Sequence, residues 1–118
     1  MITPPGQIIA VPATATSQQV IDACLRAQRS RLIVGTPAAP TGVVHIRDAY
    51  LARKRGADIT AAQLAYQIPA LPPGTSVADA VARLRAARSQ IALIRTDDGA
   101  TAGIVSLDDL LTTLLVPA

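Results

Sequence analysis

In the stretch TAGIVSLDDLL, residues 101–111, a glycine, a hydroxyl and a carboxylate follow one another at intervals of three: Gly103, Ser106 and Asp109. The apolar run before Ser106 predicts a strand, and the residues from Leu107 onward predict a helix. Ser106 then stands at the N-cap, where its hydroxyl can hold a free backbone N–H. The first turn of such a helix has unpaired N–H groups and a partly positive end, which suits phosphate. Asp109 lies one turn in and has two readings. It completes an S-x-x-D capping box, or its carboxylate accepts two charge-assisted hydrogen bonds from vicinal sugar hydroxyls. Gly103 lets the backbone come close to a flat ring. A partial copy, TGVVHIRDAYL, occupies residues 41–51: Gly42 and Asp48 are kept, and His45 replaces the hydroxyl. An imidazole there can meet a phosphate or fill the pocket, although a lone His at a strand end is more often structural.

These residues need a scaffold, and the composition restricts it. The 118 residues suit one compact domain or two small intertwined halves. Half are hydrophobic, yet Tyr50 and Tyr66 are the only aromatics, so the core must be built from Val, Ile, Leu and Ala. Ten Arg, Lys54 and eight Asp give a net charge of +3, a weak bias toward anionic partners. Without aromatic platforms between the basic residues, nucleic-acid binding is not expected. Cys24 is the lone cysteine, which excludes an internal disulfide and a zinc cluster and predicts a buried structural thiol. No apolar run is long enough to span a bilayer and no signal-peptide pattern opens the chain, so the piece is expected to be soluble and cytoplasmic.

A repeat organises the chain. ACLRAQRSRLIV at 23–34 aligns with ARLRAARSQIAL at 82–93, so that Leu25 falls on Leu84, an offset of 59 (84 − 25). Gly42 and Asp48 fall on Gly103 and Asp109 at an offset of 61, and the two-residue difference is assigned to the loop between paired strands. Each copy reads strand, helix, strand, strand, helix. Extended segments QIIAVPA (7–13) and QIPALPP (67–73) lead into helices capped by Thr16 and by Ser76 with Asp79. The paired strands are 31–34 with 42–46 and 90–94 with 102–106, the second pair turning at Asp97-Asp98-Gly99, and closing helices begin near Arg47 and Leu107. Arg53, Lys54 and Arg55 read as a solvated helix end. The fold class is α+β, with residues 1–58 and 59–118 as two β-α-β-β-α motifs. Each motif is too small to stand alone and is expected to cover the other's open sheet face in a pseudo-twofold arrangement.

Two such units in tandem resemble a pair of CBS motifs, a Bateman module, across essentially the whole chain. GTP at 35–37 with TGVVHIRDAYLA, DDGATAGIVSLDDLL at 97–111 and the opening ITPP at 2–5 further resemble the CBS pair of the CorC/CNNM family, hemolysin-like membrane proteins linked to magnesium and cobalt transport. The resemblance implies that the chain is the cytosolic fragment of a larger protein, at the cytoplasmic face of the membrane, with a transmembrane domain as partner and a flat homodimer as its assembly. It also implies adenine-nucleotide binding, ATP or AMP, through a G-h-x-S/T-x-x-D pattern that Gly103, Ser106 and Asp109 match. In that reading the adenine slides between Ile104's strand and the lead-in residues Ile68, Pro69, Ala70 and Leu71. A second site is formed by Ile9, Val11, Gly42, His45 and Asp48. Arg31 and Arg88, each flanking a strand, are candidates for phosphate contacts or are ordinary surface arginines. Magnesium would accompany a triphosphate, held by phosphate oxygens and water, with no protein-only metal site. No nucleophile and base pair and no G-x-x-x-x-G-K-S/T loop is present, so an enzyme is not expected. The competing expectation is a degenerate pair that serves only dimerisation.

Overall fold

The computed structural model describes residues 9–115. The ITPP at 2–5 and residues 7 and 8 of the first lead-in segment lie outside these. Packing divides the described chain after Gln67 into two compact units.

In the first unit, β1 (Ala10–Val11), α1 (Ser17–Ala27), β2 (Arg31–Gly35), β3 (Pro40–His45) and α2 (Ile46–Lys54) follow the expected order. β1 pairs parallel with β2, and β2 antiparallel with β3, so β2 is central. A short α3 (Ala61–Leu64), not foreseen from the sequence, follows α2. The second unit repeats the plan with β4 (Ala70–Leu71), α4 (Val77–Ala87), β5 (Ile91–Arg95), β6 (Thr101–Ser106) and α5 (Leu107–Leu115), in sheet order β4-β5-β6. This is the α+β class read from the sequence.

Local chemistry sets the element ends. The Thr16 hydroxyl accepts from the Gln19 N–H at 3.1 Å while the Gln19 side chain accepts from the Thr16 N–H at 2.9 Å, a reciprocal capping box. Ser76 caps α4 by accepting from the Asp79 N–H at 3.1 Å. Both helices end in a left-handed residue, Gln28 at φ 55° and Arg88 at φ 53°, after which Arg29 and Ser89 donate back to Cys24 and Leu84. The second hairpin turns where expected. Gly99 takes φ +85°, and the Asp98 carboxylate accepts from the Thr96 hydroxyl and the Ala100 N–H. Residues 59–67 pack with the first unit: Ala61 and Ala62 donate to the carbonyls of Ala15 and Ala13, and the Ser17 hydroxyl donates to the Ile59 carbonyl.

The cores are aliphatic, as the composition requires. Val20, Cys24, Leu32, Val34 and Val44 pack in the first unit, and Leu71, Leu84, Ile94, Val105 and Leu110 in the second. Burial pushes the Cys24 thiol pKa up, in keeping with a packing role. Arg53, Lys54 and Arg55 are exposed at the end of α2.

The internal repeat is in a different register from the one its identical residues suggest. Thr16 corresponds to Ser76, Gln28 to Arg88 and Cys24 to Leu84, an offset of 60 (76 − 16) through both helices. Cys24 and Leu84 are both fully buried, whereas Leu25 is 64% exposed. The shared L-R-A-x-R-S letters are therefore one residue out of phase in three dimensions. The burial stripe of the helix fixes the equivalence, because one residue turns a side chain by about 100°. The hairpin loops, 36–39 and 96–100, consequently differ by one residue rather than two.

Candidate functional site

In the second unit, β6 and α5 form one continuous corner that carries Gly103, Ile104, Ser106 and Asp109. The Ser106 hydroxyl accepts from the Asp109 backbone N–H at 3.1 Å, so Ser106 is the N-cap. This cap and a ligand role are compatible. Capping uses the Asp109 amide, while its carboxylate is exposed and has no hydrogen-bond partner among the described residues.

The lead-in segment is placed differently from expectation. β4 and β6 are opposite edges of their sheet, with β5 between them: Ala70 pairs with Leu93 and Leu93 with Ile104, and Leu71 pairs with Ile94 and Ile94 with Gly103. The lead-in strand and the β6 corner are therefore not hydrogen-bonded neighbours in this sheet. Only a ligand that spans β5, about 10 Å across two strand spacings, touches both. Leu71 is fully buried in the core, so its side chain serves packing. Ile68 and Pro69 are half-buried, and the Pro69 carbonyl accepts from the Leu93 N–H at 2.9 Å.

The first unit has the same corner with its polar groups used differently. His45 is the N-cap of α2, its Nδ1 accepting from the Arg47 N–H at 2.9 Å, so the imidazole does the hydroxyl's work. Burial first, then the charges of Arg31 and Arg47, hold its pKa below the ordinary value of 6.5, against the opposing Asp48. A depressed pKa favours the neutral ring that the cap requires. Its stabilisation is complete above the unfolded value and is lost as pH falls from there through the folded value. Chemical denaturation across pH is expected to show stability declining below about pH 6.5. His45→Ser keeps a cap and flattens that decline, while His45→Ala costs about 1 kcal/mol at neutral pH.

Asp48 stands where Asp109 stands in the second unit, but the Tyr66 hydroxyl donates to its Oδ2, and the Arg47 Nε lies 3.9 Å from its Oδ1. Tyr66 is held there by its backbone: its N–H donates to the Val43 carbonyl at 2.8 Å and its carbonyl accepts from the Val43 N–H at 3.0 Å. Gly42 makes this possible. A Cβ on it would lie 2.8 Å from the Tyr66 carbonyl oxygen and 2.9 Å from the Ala65 Cβ. The close approach foreseen for a ligand ring is, at Gly42, filled by the chain itself. Sequence reasoning missed Tyr66, which sits beyond α3 and 18 residues from Asp48. Its rarity as one of two aromatics was the available signal. Val11 is a core residue, and Ile9 is 41% exposed beside β2, across the sheet from Gly42.

Arg31 and Arg88 are not equivalent. Arg31 pairs with His45 across β2 and β3, and its counterpart facing Ser106 is Ile91. Arg88 is the exposed left-handed residue that ends α4. Among the described residues no group of three or more His, Cys, Asp or Glu is placed to hold a metal ion, and no helix is long and apolar enough to cross a membrane.

Residues 61–116 match the family model of the CBS domain. The whole chain has the fold of a CBS-domain pair. In particular, it is similar to the CBS domain of the bacterial CNNM/CorC family Mg2+ transporter in complex with ATP, with a TM-score of 0.86 and 20% identity over 97% of this chain and 83% of that one. A CBS-domain pair with bound AMP from Klebsiella pneumoniae gives a TM-score of 0.82 and 15% identity, covering 98% of this chain and 95% of that one. By sequence, a UPF0053 protein of Mycobacterium tuberculosis (strain CDC 1551 / Oshkosh) is 29% identical over 114 residues, 94% of this chain. The chain spans 21 to 25% of the length of the curated relatives it matches.

Proposed function

We propose that this chain is a regulatory module that binds an adenine nucleotide, ATP or AMP, in its second motif and acts as the cytosolic part of a CorC/CNNM-like magnesium or cobalt transporter. The observation that carries this reading is the corner from Gly103 to Asp109: a capped helix start with an exposed carboxylate one turn in that has no side-chain partner among the described residues. Vicinal ribose hydroxyls donate to Asp109, and the phosphates lie toward the N–H groups of the first turn of α5. Magnesium, where a triphosphate is bound, is held by phosphate oxygens and water. Solved CBS domains of the same fold with ATP and with AMP support the ligand class.

Occupancy regulates the parent protein only insofar as the nucleotide favours one arrangement of the module, or of a homodimer, over another. The transmembrane domain and a second copy of the chain are the partners in this reading, and its place is the cytoplasmic face of the membrane.

Calorimetric titration with ATP plus magnesium, ADP and AMP tests it. Binding by the wild type, weakened about ten- to a hundredfold in Asp109→Ala, is the expected result. A purely structural CBS pair predicts instead that the substitution changes neither nucleotide-dependent thermal shift nor dimerisation. No heat from any of the three at millimolar levels would rule out sensing by this chain.

A further inference from the structure

Both motifs carry the same carboxylate at the same point of the fold, and among the described residues only Asp48 has a side-chain partner. Gly42 and Gly103 occupy matching positions in their hairpins, facing Val34 and Ile94, and His45 and Ser106 both cap the following helix. Asp48 and Asp109 are thus equivalent groups. At Asp109 the carboxylate is exposed without a partner among the described residues, whereas at Asp48 a phenol O–H donates to one oxygen and a guanidinium flanks the other. A vicinal diol binds a carboxylate most strongly by donating one hydrogen bond to each of its two oxygens. The Tyr66 hydroxyl occupies the place of one of those donors. It does not reach there by chance rotation alone, because two backbone hydrogen bonds to Val43 fix residue 66 and Gly42 clears its path. Leu51, Arg55, Gln63 and Leu64 line the adjoining open cleft of about 290 Å3 in the same unit.

We propose that Tyr66 is a built-in latch that stands in for a sugar hydroxyl at Asp48 and keeps the first motif closed to nucleosides and nucleotides. This rests on the nucleotide reading above for what Asp48 would otherwise bind. The latch makes the two motifs unequal although they share a fold, and it ties the first turn of α2 to the segment that follows α3. The hydrogen bond to Asp48 also holds the Tyr66 phenol pKa above its ordinary value, as a proton shared with a carboxylate requires.

The experiment isolates the first motif in the full chain by using Asp109→Ala as background and AMP as the calorimetric probe. Adding Tyr66→Phe is expected to tighten AMP binding about ten- to a hundredfold, the strength of one hydrogen bond to a charged group. Adding Asp48→Ala as well should abolish the gain. Equal behaviour of the Asp109→Ala chain with and without Tyr66→Phe, whether both bind or neither does, overturns the latch. Failure of the second motif is read separately, as no difference between wild type and Asp109→Ala. Should Tyr66→Phe perturb folding, absorbance titration of the phenolate in a Tyr50→Phe chain decides. The Tyr66 titration is expected to move down on Asp48→Asn, and an unmoved titration overturns the latch.

Discussion

Leu84→Ala is expected to destabilise the second unit by about 3 kcal/mol, while Leu25→Ala leaves stability within about 0.5 kcal/mol of the wild type. The two leucines sit in the same six-letter repeat, so sequence alone would assign them equal effects. Leu84 is fully buried among Leu71, Val81, Ile94 and Leu110, and removing its branched end leaves a cavity that neighbouring strands cannot close. Leu25 is 64% exposed on the outer side of α1, and its buried counterpart position is Cys24. Urea unfolding followed by circular dichroism measures both changes, and the thermal midpoint of Leu84→Ala should fall by roughly 10 °C. A loss for Leu25→Ala as large as that for Leu84→Ala would show that the repeat runs at an offset of 59 and that Leu25, not Cys24, is the buried counterpart of Leu84.

Gly42→Ala should cost about 2–3 kcal/mol, more than a glycine-to-alanine change at an open position. The new methyl would lie 2.8 Å from the Tyr66 carbonyl oxygen, which is backbone and cannot rotate away. Relief requires residues 65 and 66 to withdraw from β3. That movement sacrifices the two Val43–Tyr66 backbone hydrogen bonds and the Tyr66–Asp48 contact together. Gly74→Ala is the control. Nothing lies within 4 Å of its added methyl, and its penalty of about 1 kcal/mol comes only from φ +85°. Hydrogen exchange at the Val43 and Tyr66 amides should lose protection in Gly42→Ala and keep it in Gly74→Ala. Retained protection with a small stability loss would mean that the close approach at Gly42 is not what secures residue 66.

The fold was largely legible because its signals are local. Thr16, Ser76 and Ser106 cap the helices they precede, and Asp98-Gly99 turns the second hairpin. Each rests on interactions among residues a few positions apart, which residue type and spacing specify directly. The strand-to-helix corner from Gly103 to Asp109 was legible for the same reason, being one uninterrupted stretch of chain. The capping role of His45 was less so, since an imidazole becomes a cap only when its Nδ1 is neutral and aimed at the Arg47 amide.

By itself, then, the amino-acid sequence determined the aliphatic cores, the twofold β-α-β-β-α plan, the helix starts and the glycine-to-carboxylate spacing. The tertiary structure alone decided which leucine of the repeat is buried, that β5 separates the lead-in strand from the β6 corner, and that Tyr66 reaches Asp48. Those features depend on helix phase, strand order and the return of a distant segment. A repeated string of letters does not encode rotation about a helix axis, and an 18-residue separation does not reveal that Gly42 leaves room for Tyr66 to come back.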